Sequence, residues 1–177
     1  MKKISILLIC ISLAAVCYAV DKGSLALGWE AGHPVVRYWL QPEMALEVGA
    51  NFSMTSVSGG APTDTGIALS AKGLKVLKSV GSLNISAGVG LEITSRSNAY
   101  NQQDRNISAF GLGVLLDFEY FVKAVPNVSL GAMVGIAFVS TTDKITVAGV
   151  SVSQTSTTIC PTGGLSLGGL SIKYYFK

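Results

Sequence analysis

The chain has 177 residues, of which 49% are hydrophobic and only 13% charged, and its formal net charge is +3. Ordinary soluble domains carry roughly 25% charged residues, so this composition argues against a typical water-soluble domain. So small a positive charge says little about nucleic-acid or anionic partners.

Residues 1–19 read as an export signal. Lys2 and Lys3 give a basic start, Ile4 to Val16 an apolar run, and Cys17-Tyr18-Ala19 small residues at −3 and −1. The run falls short of the roughly 20 residues that a membrane helix needs. Val16 is bulky where a lipid-modified Cys17 requires a small neighbour. Cleavage after Ala19 leaves residues 20–177 as one domain. It removes Lys2 and Lys3, taking the net charge from +3 to +1, and leaves Cys160 as the one cysteine, so no intramolecular disulfide is possible. No later segment is apolar enough for a helical span, so a membrane fate of the mature chain rests on strands.

Along the rest of the chain, apolar residues alternate with small or polar ones. Leu83 to Ile93 and Val128 to Phe138 are the cleanest stretches. Strand side chains point to opposite faces with period two, so each stretch has one apolar and one polar face. In chain order, strands are expected near 23–31, 35–40, 44–57, 64–78, 83–95, 107–122, 128–141 and 164–176. The breaks between them carry turn chemistry: Gly32-His33-Pro34, Gln41-Pro42-Glu43, Gly59-Gly60-Ala61-Pro62, Ser79 to Ser82, and Ala124 to Asn127. A hairpin around Ala148-Gly149, from Lys144 to Val152, is expected to project beyond the rest. Strands this long behind an export signal predict an all-β fold, an eight-stranded antiparallel transmembrane β-barrel. A soluble lipocalin-like barrel or a sandwich is the alternative. It would leave charges on the outer face, whereas Leu83 to Ile93 and Leu112 to Tyr120 present almost none.

Connections alternate between tight (41–43, 79–82, 124–127) and long (58–63, 96–106, 142–163), with 32–34 anomalously short. Outer-membrane barrels place short turns in the periplasm and long loops outside. That topology puts Trp29, Phe52, Phe110 and Phe138 at the external level, and Tyr38, Tyr120, Tyr174 and Phe176 at the periplasmic one, as two aromatic belts. By alternation Glu30, Arg37, Glu47, Lys72, Glu92, Asp117, Glu119 and Lys173 face the lumen. Eight strands leave an interior just wide enough for side chains, so a plug of paired charges is favoured over a lined ion path. Trp39, Leu115 and Tyr175 are expected to fill the remaining space, and inward glycines such as Gly90 and Gly113 to make room.

The segments Met1 to Ala19, Pro34 to Ser53 and Gly169 to Lys177 together resemble small bacterial outer-membrane barrels of the opacity type and of the outer-membrane-protein X or A type. The likeness is architectural and spans the mature chain. It implies residence in the outer membrane, contact with its lipid, and assembly by the outer-membrane machinery. Members typically end on an aromatic residue; here Phe176 is penultimate and Lys177 follows.

Chemistry beyond this is sparse. The Gly-x-Gly pairs do not extend to a dinucleotide fingerprint, and there is no Walker lysine pattern. The single histidine, His33, reads as a turn residue, and no nucleophile stands at a suitable spacing from it or Glu30. One histidine and one mature cysteine make no metal cluster. The sequons at Asn51, Asn84, Asn106 and Asn127 follow from polar–apolar alternation. The sequence thus predicts a non-enzymatic barrel without cofactor, metal or nucleic-acid partner. Its role is structural or surface interaction, with a surface ligand bound by external loops such as hydroxyl-rich 142–163; a narrow channel for ions or small hydrophobic molecules is the alternative.

Overall fold

In the computed structural model, residues 22–55, 63–100, 103–162 and 167–176 are described. The export segment, residues 58–62 and residues 164–166 of the expected last strand lie outside them. The period-two segments form nine strands: β1 (Leu25–Glu30), β2 (His33–Gln41), β3 (Met44–Thr55), β4 (Thr63–Val80), β5 (Leu83–Tyr100), β6 (Gln103–Phe121), β7 (Val128–Val147), β8 (Val150–Pro161) and β9 (Gly169–Phe176). No α-helix occurs among the described residues.

All pairings are antiparallel, and β1 to β7 together with β9 close into an eight-stranded barrel. β7 serves two partners. Its first part, Val128 to Met133, pairs with β9, and its second part, Ile136 to Val147, pairs with β8. The β7–β8 hairpin turns at Ala148-Gly149, both with positive φ (49° and 82°), the conformation that lets a two-residue turn match strand twist.

Three sequence expectations are corrected. The segment 142–163 is largely strand, since hydroxyl-rich alternation still pairs across β7 and β8. In the segment 96–106, residues 96–100 likewise continue β5 and 103–106 begin β6, while 101–102 lie outside the described residues. His33 is no turn residue: the turn is Ala31-Gly32, and His33 begins β2 with its side chain buried. Its Gly-His-Pro context mimicked a turn, but Pro34 stands where β2 begins, a position that tolerates proline.

The register fixes the barrel's geometry. A row of paired residues leaves β7 at Ser129 and runs through Lys173, Gly28, Val35, Gly49, Ser70, Glu92 and Gly111. It returns to β7 at Val139, ten residues further along. With a rise of about 3.3 Å per residue and about 4.8 Å between strands, that offset tilts the strands by about 40°. Each residue then climbs about 2.5 Å along the barrel axis and each step between strands about 3 Å.

Heights follow. Tyr38, Tyr120 and Tyr174 come within about 3 Å of the level of Ser129, with Phe176 slightly below. Phe52, Phe110 and Phe138 lie about 20–25 Å higher. Trp29, expected among them, stands only about 9 Å up, because β1 has six residues and its hairpin with β2 ends low. Among the described residues, β3 beyond Gly49 pairs only with β4, so the described rim is lower at β1 and β2.

Close packing inside the wall constrains the glycines. A Cβ on Gly88 would overlap the carbonyl oxygen of Gly73, and one on Gly135 that of Val114, whereas a Cβ on Gly73 finds no atom within 4 Å. Gly88→Ala and Gly135→Ala should each destabilise the refolded barrel by about 1–3 kcal/mol. Gly73→Ala should be close to neutral. Denaturant unfolding of the three variants checks this.

Candidate functional site

Alternation sends every second side chain of a strand inward, and on seven of the eight barrel strands those positions carry buried ionisable groups. Glu30 (β1), Arg37 (β2), Glu47 (β3), Lys72 (β4), Glu92 (β5), Asp117 and Glu119 (β6) and Lys173 (β9) are all buried. The barrel is narrow enough for them to meet across it. Arg37 is the hub: its Nε donates to Glu47 Oε2 on the adjacent strand at 2.8 Å, and its Nη1 to Glu119 Oε2 on β6, four strands away, at 2.9 Å. Its Nη2 also lies 2.8 Å from Asp117 Oδ2. Four steps in a ring of eight is the full diameter, so this guanidinium bridges opposite walls.

Lys72 joins the web from β4, donating to Glu30 Oε1 and, at 2.9 Å, to Glu47 Oε1. Lys173 lies 3.4 Å from both Glu30 Oε2 and Glu47 Oε2 and donates to Ser171 Oγ at 2.9 Å. Glu119 is further held by Ser129 Oγ (2.6 Å) and Tyr175 Oη (2.7 Å). Such placement is enforced: a carboxylate or ammonium without water survives only when paired and hydrogen-bonded. Glu92 stands higher, opposite Ser70 in the β4–β5 ladder.

An apolar layer closes round the web. Trp39, Leu74, Phe121 and Tyr175 pack at the lower end and Leu115, Met133 and Leu167 higher up; the Phe121 and Tyr175 rings are 5.3 Å apart. Trp39, Leu115 and Tyr175 were expected inside. Phe121 and Met133 were legible too, since they continue the phase of Glu119 and Ser129. Leu167 and Thr162, both fully buried, fall where the chain leaves the strand pattern, and alternation carries no signal for them.

His33 and Ser70 lie beside each other over Gly49, where a Cβ would come within 3.0 Å of His33 Nε2 and 2.7 Å of Ser70 Oγ. Ser70 Oγ has no hydrogen-bond partner. A serine nucleophile requires hydrogen bonding to its base, and here that bond is not formed. Among the described residues no group of three or more His, Cys, Asp or Glu side chains is arranged to hold a metal.

The second candidate region is the projecting part of β4 to β8. On its concave side Arg96 pairs with Asp64, and Arg105 with Asp143, the latter with Nε donating to Oδ1 and Oδ2 at 3.1 Å. The arginine hydrogen bonds hold both carboxyl groups below their ordinary range, but exposed pairs of this kind contribute little to stability. Among the described residues β8 pairs with β7 alone; it carries no charged residue and is exposed along almost its whole length.

No protein-family model matches the chain, and no curated protein matches it in sequence.

Arg37 faces three carboxylates across the lumen, so its loss leaves them mutually repelling and unpaired. Arg37→Met should cost about 3–5 kcal/mol. Arg96→Met, at an exposed pair, should leave the unfolding midpoint unchanged. Parallel urea titrations of the two variants decide the matter.

Proposed function

We propose that this chain is a non-enzymatic integral outer-membrane barrel, exported by residues 1–19, closed along its axis by the charged web, and active through its projecting β7–β8 hairpin. The observation that carries the reading is a change of outer-face chemistry at one level. On β7 the outward residues run Leu130, Ala132, Val134, Ile136, Phe138 and then Ser140, Thr142, Lys144, Thr146. β5 changes from Ile93 to Ser95, β6 from Phe110 to Ser108, β4 from Ile67 to Thr65, and β8 from Ile159 to Thr157. With tilt and register included, the last apolar residue on each of these strands lies about 21–26 Å above Ser129. The exposed band below that level is rich in Leu, Val, Ile and Phe and close to the roughly 25 Å hydrocarbon zone of outer-membrane barrels.

A soluble barrel has the reverse arrangement, apolar inside and charged outside. Here a wall of exposed apolar side chains surrounds a buried ionic web, an order that hydrocarbon as the outer solvent explains. With the lumen crossed by paired charges, recognition falls to what projects. Among the described residues no strand pairs with the outer edge of β8, and an uncharged open edge is the chemistry by which an extended strand of a partner is captured.

Two substitutions and one deletion test this. Val89→Arg and Val134→Arg should each impair insertion into vesicles by about 2–4 kcal/mol. Thr142 pairs with Thr155, so a Gly-Ser turn joining them shortens the hairpin in register. That variant should fold as before and lose adhesion to cells or surfaces. Charge-dependent single-channel steps from the parent protein in planar bilayers would replace this reading with a channel.

A further inference from the structure

Up to the level where the apolar band ends, the described strands carry charge on their outer face at one place, the lower end of β4. Alternation turns Lys75 outward, between Leu74 and Val76, which pack into the apolar layer inside. Strict alternation would then aim Lys78 toward the lumen. A β-bulge prevents this: Val76 pairs with Ser86 and Lys78 with Ile85, so Leu77 is the extra residue. Beyond it Ser79 Oγ donates to the buried Asn84 at 2.8 Å. The inner face therefore resumes at Ser79, and Lys78 lies on the outer one. Bulges re-aim side chains in this way, and here two lysines come to occupy successive outward positions, about 7 Å apart.

Both lysines are exposed. Among the described residues every ion pair belongs to another cation: Arg37, Lys72, Arg96, Arg105 or Lys173. Lys75 stands about 3 Å above Ser129 and Lys78 about 2 Å below it, the level of Tyr38, Tyr120 and Tyr174. On the neighbouring strands that level is held by outward Met44 and Ile85.

Directly above Lys75 the wall is dented. Gly73 is the next outward position of β4, and a Cβ there would meet no atom within 4 Å. Leu46 of β3 and Val89 of β5 pair with it on either side and stand out from the wall, 47% and 59% exposed. The result is a groove of about 300 Å³ whose lining includes Met44, Leu46, Gly73, Lys75, Ala87 and Val89, all on the outer face. On β4 its lowest lining residue is Lys75.

We propose that this end of β4 binds a negatively charged glycerophospholipid of the periplasmic leaflet. Its phosphate sits between Lys75 and Lys78, and one acyl chain runs along the groove over Gly73. The inference rests on the outer-membrane reading. Charge selects the headgroup, because the bulge gathers two cations on one face and supplies them no carboxylate. A lysine near a membrane surface is worth about fivefold in affinity for anionic lipid. Position selects a lipid over a free anion: the lysines lie at the aromatic belt, and the groove continues from them into the apolar band.

The full mature chain is inserted into nanodiscs of equal parts phosphatidylcholine and phosphatidylglycerol with identical acyl chains. Native mass spectrometry then identifies the lipid that stays on the released barrel. A preference for phosphatidylglycerol of roughly twentyfold is expected. Lys75→Gln and Lys78→Gln should each lower it about fivefold, and the double variant should abolish it. Gly73→Leu, which fills the groove and leaves both lysines in place, should lower phosphatidylglycerol retention about tenfold. Lys144→Gln, on the same outer face far above the band, should change nothing. Heat-dependent gel migration certifies each variant as folded.

Parent protein that does not enter nanodiscs overturns the membrane reading itself. Parent protein that enters them but retains both lipids equally overturns the phospholipid site alone. So does a preference indifferent to the double lysine change or to Gly73→Leu. A preference abolished by millimolar inorganic phosphate would make the site one for a free anion, and a barrel released as a dimer would assign the groove to a second copy; either result overturns the lipid.

Discussion

A sheet closed on itself has no remaining freedom in its width. Eight strands and a ten-residue offset set a tilt of about 40° and a backbone radius of about 8 Å. The interior of such a ring holds side chains from opposite walls in direct contact and little else. This is why Arg37 on β2 reaches Asp117 and Glu119 on β6, and why Lys72 on β4 reaches Glu30 on β1. A larger ring would leave the same residues as lining. A smaller offset would bring different rows to one level and dissolve the web. The glycines obey the same limit: Gly90 lies against Leu115, Leu167 and the stem of Lys72, and Gly131 against Ser171, so bulk on one strand is matched by its absence on the next.

The web's energy is less simple than its geometry. Pairing buried charges offsets their desolvation only when contacts are good, and an apolar core of equal volume is often as stable. What the charges add is discrimination. Sliding one strand by a single residue turns Arg37 or Glu47 outward, into the face occupied by Leu46, Val48 and Leu91. An apolar interior would make inner and outer faces alike and leave the register poorly determined. Polar contrast across a wall one residue thick therefore specifies the pairing. The same contrast explains why the outer face can be apolar up to Phe138 and polar from Ser140 without any change in backbone pairing.

Much of this was legible because period two is rigid. Once Glu30, Arg37, Glu47 and Asp117 are assigned to one face, the other face of each strand follows, and the eight inward charges need no knowledge of distant contacts. Strand ends were less legible. Ser, Thr and Asn in 96–106 and 142–163 look like solvated loops, yet cross-strand hydroxyl pairs such as Thr142–Thr155 and Thr146–Ser151 sustain a ladder in water. His33 was misplaced for a related reason. Local turn chemistry identifies a reversal to within a residue or two, and only pairing with Glu30 shows on which side of Gly32 the strand resumes. Trp29 was placed by its order in the chain, whereas its height depends on how short β1 is.

The residues no alternation rule reaches, Thr162 and Leu167, are those that interrupt the wall. Continuing β9 upward in its own register would place Leu167 opposite Gly135 of β7, while continuing β8 downward would place Thr162 there. Both cannot occupy one position, so β8 and β9 cannot both continue along β7. Outside lies an apolar face with no partner for backbone polar groups; inside lie Leu115 and the space over Gly90 and Gly113. The chain turns in. Leu167 joins the core cluster, while Thr162 brings a buried hydroxyl without a hydrogen-bond partner. Filling the lumen and ending the two ladders thus go together: Thr162 directly after β8 and Leu167 just before β9 are both packed inside.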